Sequence, residues 1–242
     1  DRILFVTVFI LCAAFAKAQL GFCSGQSGTA IFTEDFGQGT TNGPALPPFV
    51  TSYTYVNSGV QDGQYTISST MQQLGSFWNA PDHTGNQDGK MLIVNADFNA
   101  GIFYQTPISG LCENTPYEFS SWVINVLSST NNPCTPNEIP IQVRFEIWDS
   151  TDTNLLSSGV MNPRISDPAP TWVKYGLTFT TASGQNSCIL KLINEGVGGC
   201  GNDLAIDDIS FQPCGDVTQI LNPSGTNRST ICENDSGISV IL

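Results

Sequence analysis

The stretch Ile141-Gln142-Val143-Arg144-Phe145-Glu146-Ile147-Trp148 alternates in side-chain character from one residue to the next. Val143, Phe145 and Ile147 fall on one face of such a segment and Arg144, Glu146 and Trp148 on the other, the pattern of a strand with one buried face. Trp172–Thr180 repeats it, with Val173, Tyr175, Leu177 and Phe179 pointing one way. Lys90–Asn95 and Ile189–Asn194 are denser apolar runs, suited to strands covered on both sides. Tyr117–Leu127 and Leu204–Phe211 complete the set, with Tyr53–Val56 and Tyr65–Ser68 as strands near the start. Apolar residues nowhere recur at helical spacing over three turns. Many short strands with turn signals between them predict an all-β fold, a two-sheet antiparallel jelly-roll β-sandwich over residues 30–215, preceded by an extension at 19–29.

Composition agrees. Only 12% of the 242 residues are charged, about half the usual share, and 23 Gly with 14 Pro make a turn-rich chain. Eight basic residues stand against 21 acidic ones, a net charge of −13. Binding to a phosphate backbone or to anionic lipid needs clustered Lys and Arg, so no nucleic-acid partner is expected.

Residues 1–18 place Arg2 before an apolar run that ends in Ala16-Lys17-Ala18, the pattern of a cleaved signal peptide. The run is too short to span a bilayer, and no other stretch is long and apolar enough, so a secreted product without membrane insertion is expected. Residues 216–229 read as a polar linker, and 230–242 as the start of a second, immunoglobulin-like β module cut short at Leu242. Of the eight cysteines, Cys12 leaves with the signal peptide. Cys232 is assigned to the second module, leaving six for the sandwich, which allow fifteen pairings.

Gly196-Val197-Gly198-Gly199-Cys200-Gly201 formally matches GxGxxG, but a strand follows it rather than a helix, so it reads as a hairpin loop. The acidic pairs are more informative. Glu34-Asp35 lies beside the first strand, Asp82 and Asp88 in the loop PDHTGNQDG, and Asp207-Asp208 inside the last strand. Adjacent strand carboxylates point to opposite faces, so one of Asp207 and Asp208 should face the core and be hydrogen-bonded or bind a cation. Hard oxygen ligands from separate segments suggest structural calcium.

There is no GxSxG elbow and no HExxH, and the lone His83 reads as a loop residue bonding a neighbouring turn. Glu146 with Glu118 could pair as a glycosidase acid and nucleophile, but sequence does not give their separation and most Glu on strand faces are simply solvated, so a non-catalytic module is expected. Aromatic rings stack on the apolar faces of sugars while polar neighbours bond the hydroxyls. Trp148 and Trp122 with Arg144 and Glu146 are therefore the candidate sugar-binding face, with Tyr55 and Trp78 at its rim.

The segments FWNAPDHTGNQDGKMLIVN, LCENTPYEFSSWVINV, VRFEIWDS, WVKYGLTFTT and GNDLAIDDISFQPCG together resemble the MAM-type jelly roll and related galactose-binding-like carbohydrate-binding modules. They are most similar to N-terminal domains of secreted surface proteins of gliding bacteria, exported by type IX secretion with a gliding-motility-associated sorting domain. The resemblance implies a disulfide between Cys112 and Cys214. With it, Cys134 falls near Cys200 if Tyr117–Leu127 and Leu204–Phe211 pair in register, leaving Cys23 with Cys188. A sequence-local alternative, Cys112 with Cys134 and Cys188 with Cys200, stays open. The resemblance also implies a calcium between the first and last strands, held by Glu34 or Asp35 with Asp207 or Asp208. The expected role is a binding module of an adhesin-like bacterial cell-surface protein, recognising glycan or another surface polymer. The alternatives are a structural module contacting other surface proteins and, last, a glycoside-active enzyme.

Overall fold

The computed structural model describes residues 20–215, 219–221 and 228–230; the predicted signal peptide lies outside them. Two sheets, antiparallel except for the short parallel pairing of Thr54–Tyr55 with Gln64–Ser68, make a jelly-roll-like sandwich, as expected. The larger contains β1 (Phe32–Glu34), β2 (Thr54–Tyr55), β3 (Gln64–Ser68), β4 (Met91–Asn95), β6 (Pro116–Asn125), β9 (Val173–Thr180) and β11 (Asp203–Pro213). Its order is β2-β3-β4-β11-β6-β9, with β1 beside the far half of β11. The smaller sheet runs β5-β10-β7-β8, formed by Ile102–Ser109, Ser187–Asn194, Val143–Trp148 and Leu155–Val160.

The predicted inward row of β7 is the heart of the core: Val143, Phe145 and Ile147 are wholly buried, and the Phe145 ring meets Phe119 of the facing sheet edge-on at 5.3 Å. β4 is buried at every position, as its apolar density predicts. Its second cover is a smaller core outside the large sheet, where Met91, Ile93, Ile124 and Ala205 pack under Val60, Met71 and Phe77 from the loops.

Sequence reading misses β5 and β8, and both are edges of the small sheet. Pro107 interrupts the β5 pattern, and an edge strand tolerates a residue that cannot donate to the ladder. β8 carries Ser157, Ser158 and Gly159, so it lacks the apolar alternation of a central strand. Two further short strands, β12 (Gln219–Leu221) and β13 (Arg228–Thr230), pair across the segment read as a linker.

The disulfides correct part of the expected scheme. Cys134–Cys200 forms as expected, but Cys23 bonds Cys214 and Cys188 is free. The cause is the path of the N-terminal extension: Gly28 N donates to Pro213 O and Gly215 N to Gln26 O, both at 2.8 Å, so residues 23–28 run beside the end of β11. Cys188 points between the sheets, where burial pushes its thiol up to about 12. Cys112 is also disulfide-bonded, and not to Cys214. Disulfides belong to oxidising compartments, consistent with an extracellular protein. Among the described residues no helix is long and apolar enough to cross a membrane.

Asp203 opens β11 in register with Asn95, and only 6% of it is exposed. Burial first, then the charges of Asp62 and Glu138, raise its carboxyl well above the usual range. A raised folded-state value contributes stability below the unfolded value of about 4, and that contribution is lost as pH rises through the folded value. Asp203→Asn removes the titration, so its Tm should fall less between pH 5 and pH 8 than the parent's. At pH 8 the variant should melt a few degrees higher, about 2–4 °C for each kcal/mol regained. Parallel Tm curves by calorimetry would contradict this.

Candidate functional site

Period-two geometry carries Arg144, Glu146 and Trp148 to the outer face of the small sheet, as the sequence predicts. There they form a connected group. Trp148 Nε1 donates to Glu146 Oε2 at 2.6 Å. Arg144 Nε lies 3.0 Å from Glu146 Oε1 and 3.1 Å from Glu195 Oε2. Lys191, the cross-strand partner of Glu146 on β10, sets its Nζ 4.7 Å from the centre of the Trp148 ring and pairs with Asp152. Lys191 and Glu146 are only 6% and 5% exposed although they face outward. Their neighbours cover them, and each charge has a partner of opposite sign, as buried charges require.

Asp152 reaches Lys191 from the turn between β7 and β8. In that turn the Asp149 carboxylate accepts from Thr153 N at 2.8 Å, from the Asn154 amide and from Thr151 Oγ1 at 3.0 Å. These bonds hold the Asp149 carboxyl well below the usual range. They also leave Asp152 in the left-handed region, at φ 58°. The outcome is an indole fixed at its nitrogen and on one face, beside two charged pairs.

The other predicted residues lie elsewhere. Trp122 faces outward from β6 in the large sheet, stacked on His83 at 4.3 Å with 17° between the rings. Trp78 packs onto the smaller core and Tyr55 against the main one. The Tyr55 hydroxyl donates to Gly43 O at 2.7 Å. The six-residue face of the sequence reading is thus corrected to three, because Trp122 belongs to the opposite sheet and the rim residues serve packing. Lys191, Asp152 and Glu195 were missed. Lys191 had a signal, being the one charge in the apolar run Ile189–Asn194.

A second cluster surrounds His83. The ladder of β11 shifts between Asp207 and Ser210, with Asp208 at φ 44°, so the adjacent carboxylates do not alternate as predicted. The bulge turns both toward one imidazole: His83 Nδ1 lies 2.6 Å from Asp208 Oδ2 and 3.7 Å from Asp207 Oδ2. Their ligand atoms all fall within 4.8 Å of one another. The backbone N–H of His83 donates to Asp207 at 3.2 Å. Burial, with the charges of Asp208 and Asp82, pushes Asp207 up to about 7. Asp208 is raised by burial and pulled back by His83.

Asp82 accepts from Thr84 Oγ1 at 2.9 Å and Asn86 N at 2.8 Å, and lies so close to Gly89 that a Cβ there would come within 1.9 Å of its Oδ2. Glu34 and Asp35 bond the backbone N–H groups of Phe36 and Gly37, and Asp88 is exposed. Of the six residues read as calcium ligands, only Asp207 and Asp208 therefore come together, with Asp82 and Asp35 near enough to act on Asp208 by their charge. His83 joins them in place of Glu34 and Asp88.

No family model matches the chain, and no curated protein matches it. Solved structures of similar shape include an apo cyclase from Fischerella sp., with TM-score 0.46 and 15% identity over 86% of this chain and 93% of that one. A CBM4 structure matches with TM-score 0.37 and 14% identity over 62% and 86% of the two chains. The sugar-binding C-terminal domain of EclA matches with TM-score 0.33 and 16% identity over 55% and 89%. The cyclases among these neighbours are enzymes, which corrects the expectation of a non-catalytic module.

Proposed function

We propose that the chain is an extracellular glycan-binding domain whose sugar site is the outer face of the small sheet. The observation that carries this reading is the fixed Trp148 indole. Its nitrogen is bonded to Glu146 and one face is taken by Lys191, while the half-buried ring keeps part of its surface in solvent. A ring already held in place loses little freedom when a pyranose stacks on it, and preorganisation of this kind converts contact into affinity. Arg144 and Glu195 stand beside it with donors and acceptors for hydroxyl groups. A position on a bacterial cell-surface protein completes the proposal.

The gathered carboxylates carry a second, structural part of the reading. Asp207 and Asp208 would hold a calcium ion near the bulge of β11, with Asp82 and Asp35 contributing negative charge. Like charges brought together in a buried setting are costly unless a proton or a cation offsets them. The imidazole of His83 departs from an all-oxygen calcium set, and its stacking on Trp122 gives it a packing role in the same place.

Two outcomes are expected. Trp148→Ala should lower affinity for any polysaccharide retained in affinity gel electrophoresis by about tenfold or more, while Trp122→Ala leaves retention unchanged. The opposite ranking, or no retention of any neutral polysaccharide by the parent, would overturn the assignment. After EDTA treatment, added calcium should raise the Tm of the parent and not that of Asp207→Asn. A parent Tm indifferent to calcium would reject the ion.

A further inference from the structure

Phe49 is 89% exposed, the most exposed of the large apolar side chains on the described surface, and its backbone sits at φ 70°. A non-glycine residue in the left-handed region persists only where its surroundings hold it there. Here they do. Gln105 Nε2 donates to Phe49 O at 2.6 Å, Gln105 N donates to Val50 O at 2.7 Å, and Ser52 N donates to Ile102 O at 2.8 Å. The loop is thus laced along the free edge of β5 with its backbone tied on and the Phe49 ring left in water. Pro47 and Pro48 precede it and stiffen the approach.

Beside the ring is an open pocket of about 300 Å³ lined by Phe49, Gln105, Pro107, Asp152 and Ile189 among others. Asp152 links this pocket to the Trp148 platform, because the same side chain pairs with the Lys191 ammonium that lies over the indole. From β7 through β10 and β5 to the added loop there are three strand intervals, about 14 Å in all. That span is wider than one sugar ring.

Charge narrows the ligand further. The two cations of the face are committed, Arg144 to Glu146 and Glu195, and Lys191 to Asp152. The carboxylates outnumber them, so the surface has no surplus positive charge to offer an acidic polymer.

We infer that Phe49 is a second stacking point, and that the face takes an extended neutral glycan lying across the strands from Trp148 to Phe49. This rests on the glycan reading above and goes beyond it by fixing chain length, direction and charge class. A terminal monosaccharide would use Trp148 alone, and a uronate polymer would meet excess negative charge.

Isothermal titration with cellohexaose, xylohexaose and mannohexaose, the matching disaccharides and polygalacturonate tests the inference. The parent should bind at least one hexasaccharide about tenfold or more tighter than its disaccharide, and polygalacturonate weakly or not at all. In Phe49→Ala that ratio should fall to near one. Phe49→Tyr keeps a ring and should keep the ratio, and an unchanged Tm confirms that both variants fold. If Phe49→Ala keeps the parent's ratio while Trp148→Ala loses binding, the second stacking point is overturned and the glycan reading stands. If Trp148→Ala also binds like the parent, or no sugar binds at all, both fail. Tight polygalacturonate binding overturns the charge class.

Discussion

Burial of Val143, Phe145 and Ile147 against the facing sheet is the contact on which the outer surface depends. Each fully buried side chain of this kind contributes about 1.5–3 kcal/mol. A slip of one residue would bring Arg144, Glu146 and Trp148 into the core in their place, and two of these carry charge. The register of β7 is therefore held from inside. Glu146 then stands opposite Lys191 on β10, and the Glu195–Arg144–Glu146–Trp148–Lys191–Asp152 chain assembles as a by-product of packing on the other face of the strand.

The other cluster arises where that alternation fails. Had β11 run straight, Asp207 and Asp208 would face opposite ways, one wasted in solvent and one stranded in the core. The bulge at this point brings both to His83, and Trp122 supports the imidazole from the neighbouring strand. The two sheets thus present different chemistry: a surface of paired charges with a surplus of carboxylate and an aromatic platform on one, and a compact pair of carboxylates around an imidazole on the other.

The central strands were legible because their inner rows are dense and regular, as in β4, β7 and β11. The edges of the small sheet were not: β5 and β8 have one neighbour each, so they tolerate Pro107 and Gly159 and lose the pattern that would announce them. The platform triad could be read from alternation alone, since Arg144, Glu146 and Trp148 share one strand. Grouping Trp122 with it could not succeed, because period two gives the face of a strand but not the sheet to which the strand belongs. The bulge at Asp207 has no marker such as glycine, so its carboxylates were assigned to opposite faces. The Cys23–Cys214 bond depends on where an irregular extension is laid down, which backbone bonds to β11 decide and residue spacing does not.

The claim that matters most is that sugar meets the Trp148 face. A ¹H–¹⁵N spectrum resolves the indole N–H signals of Trp78, Trp122, Trp148 and Trp172. Titration of xylohexaose, cellohexaose and mannohexaose into the labelled protein should shift the Trp148 signal with at least one sugar and leave those of Trp122 and Trp172 in place. A shift confined to Trp122 and Trp172, or no indole shift with any of the three, would contradict the account.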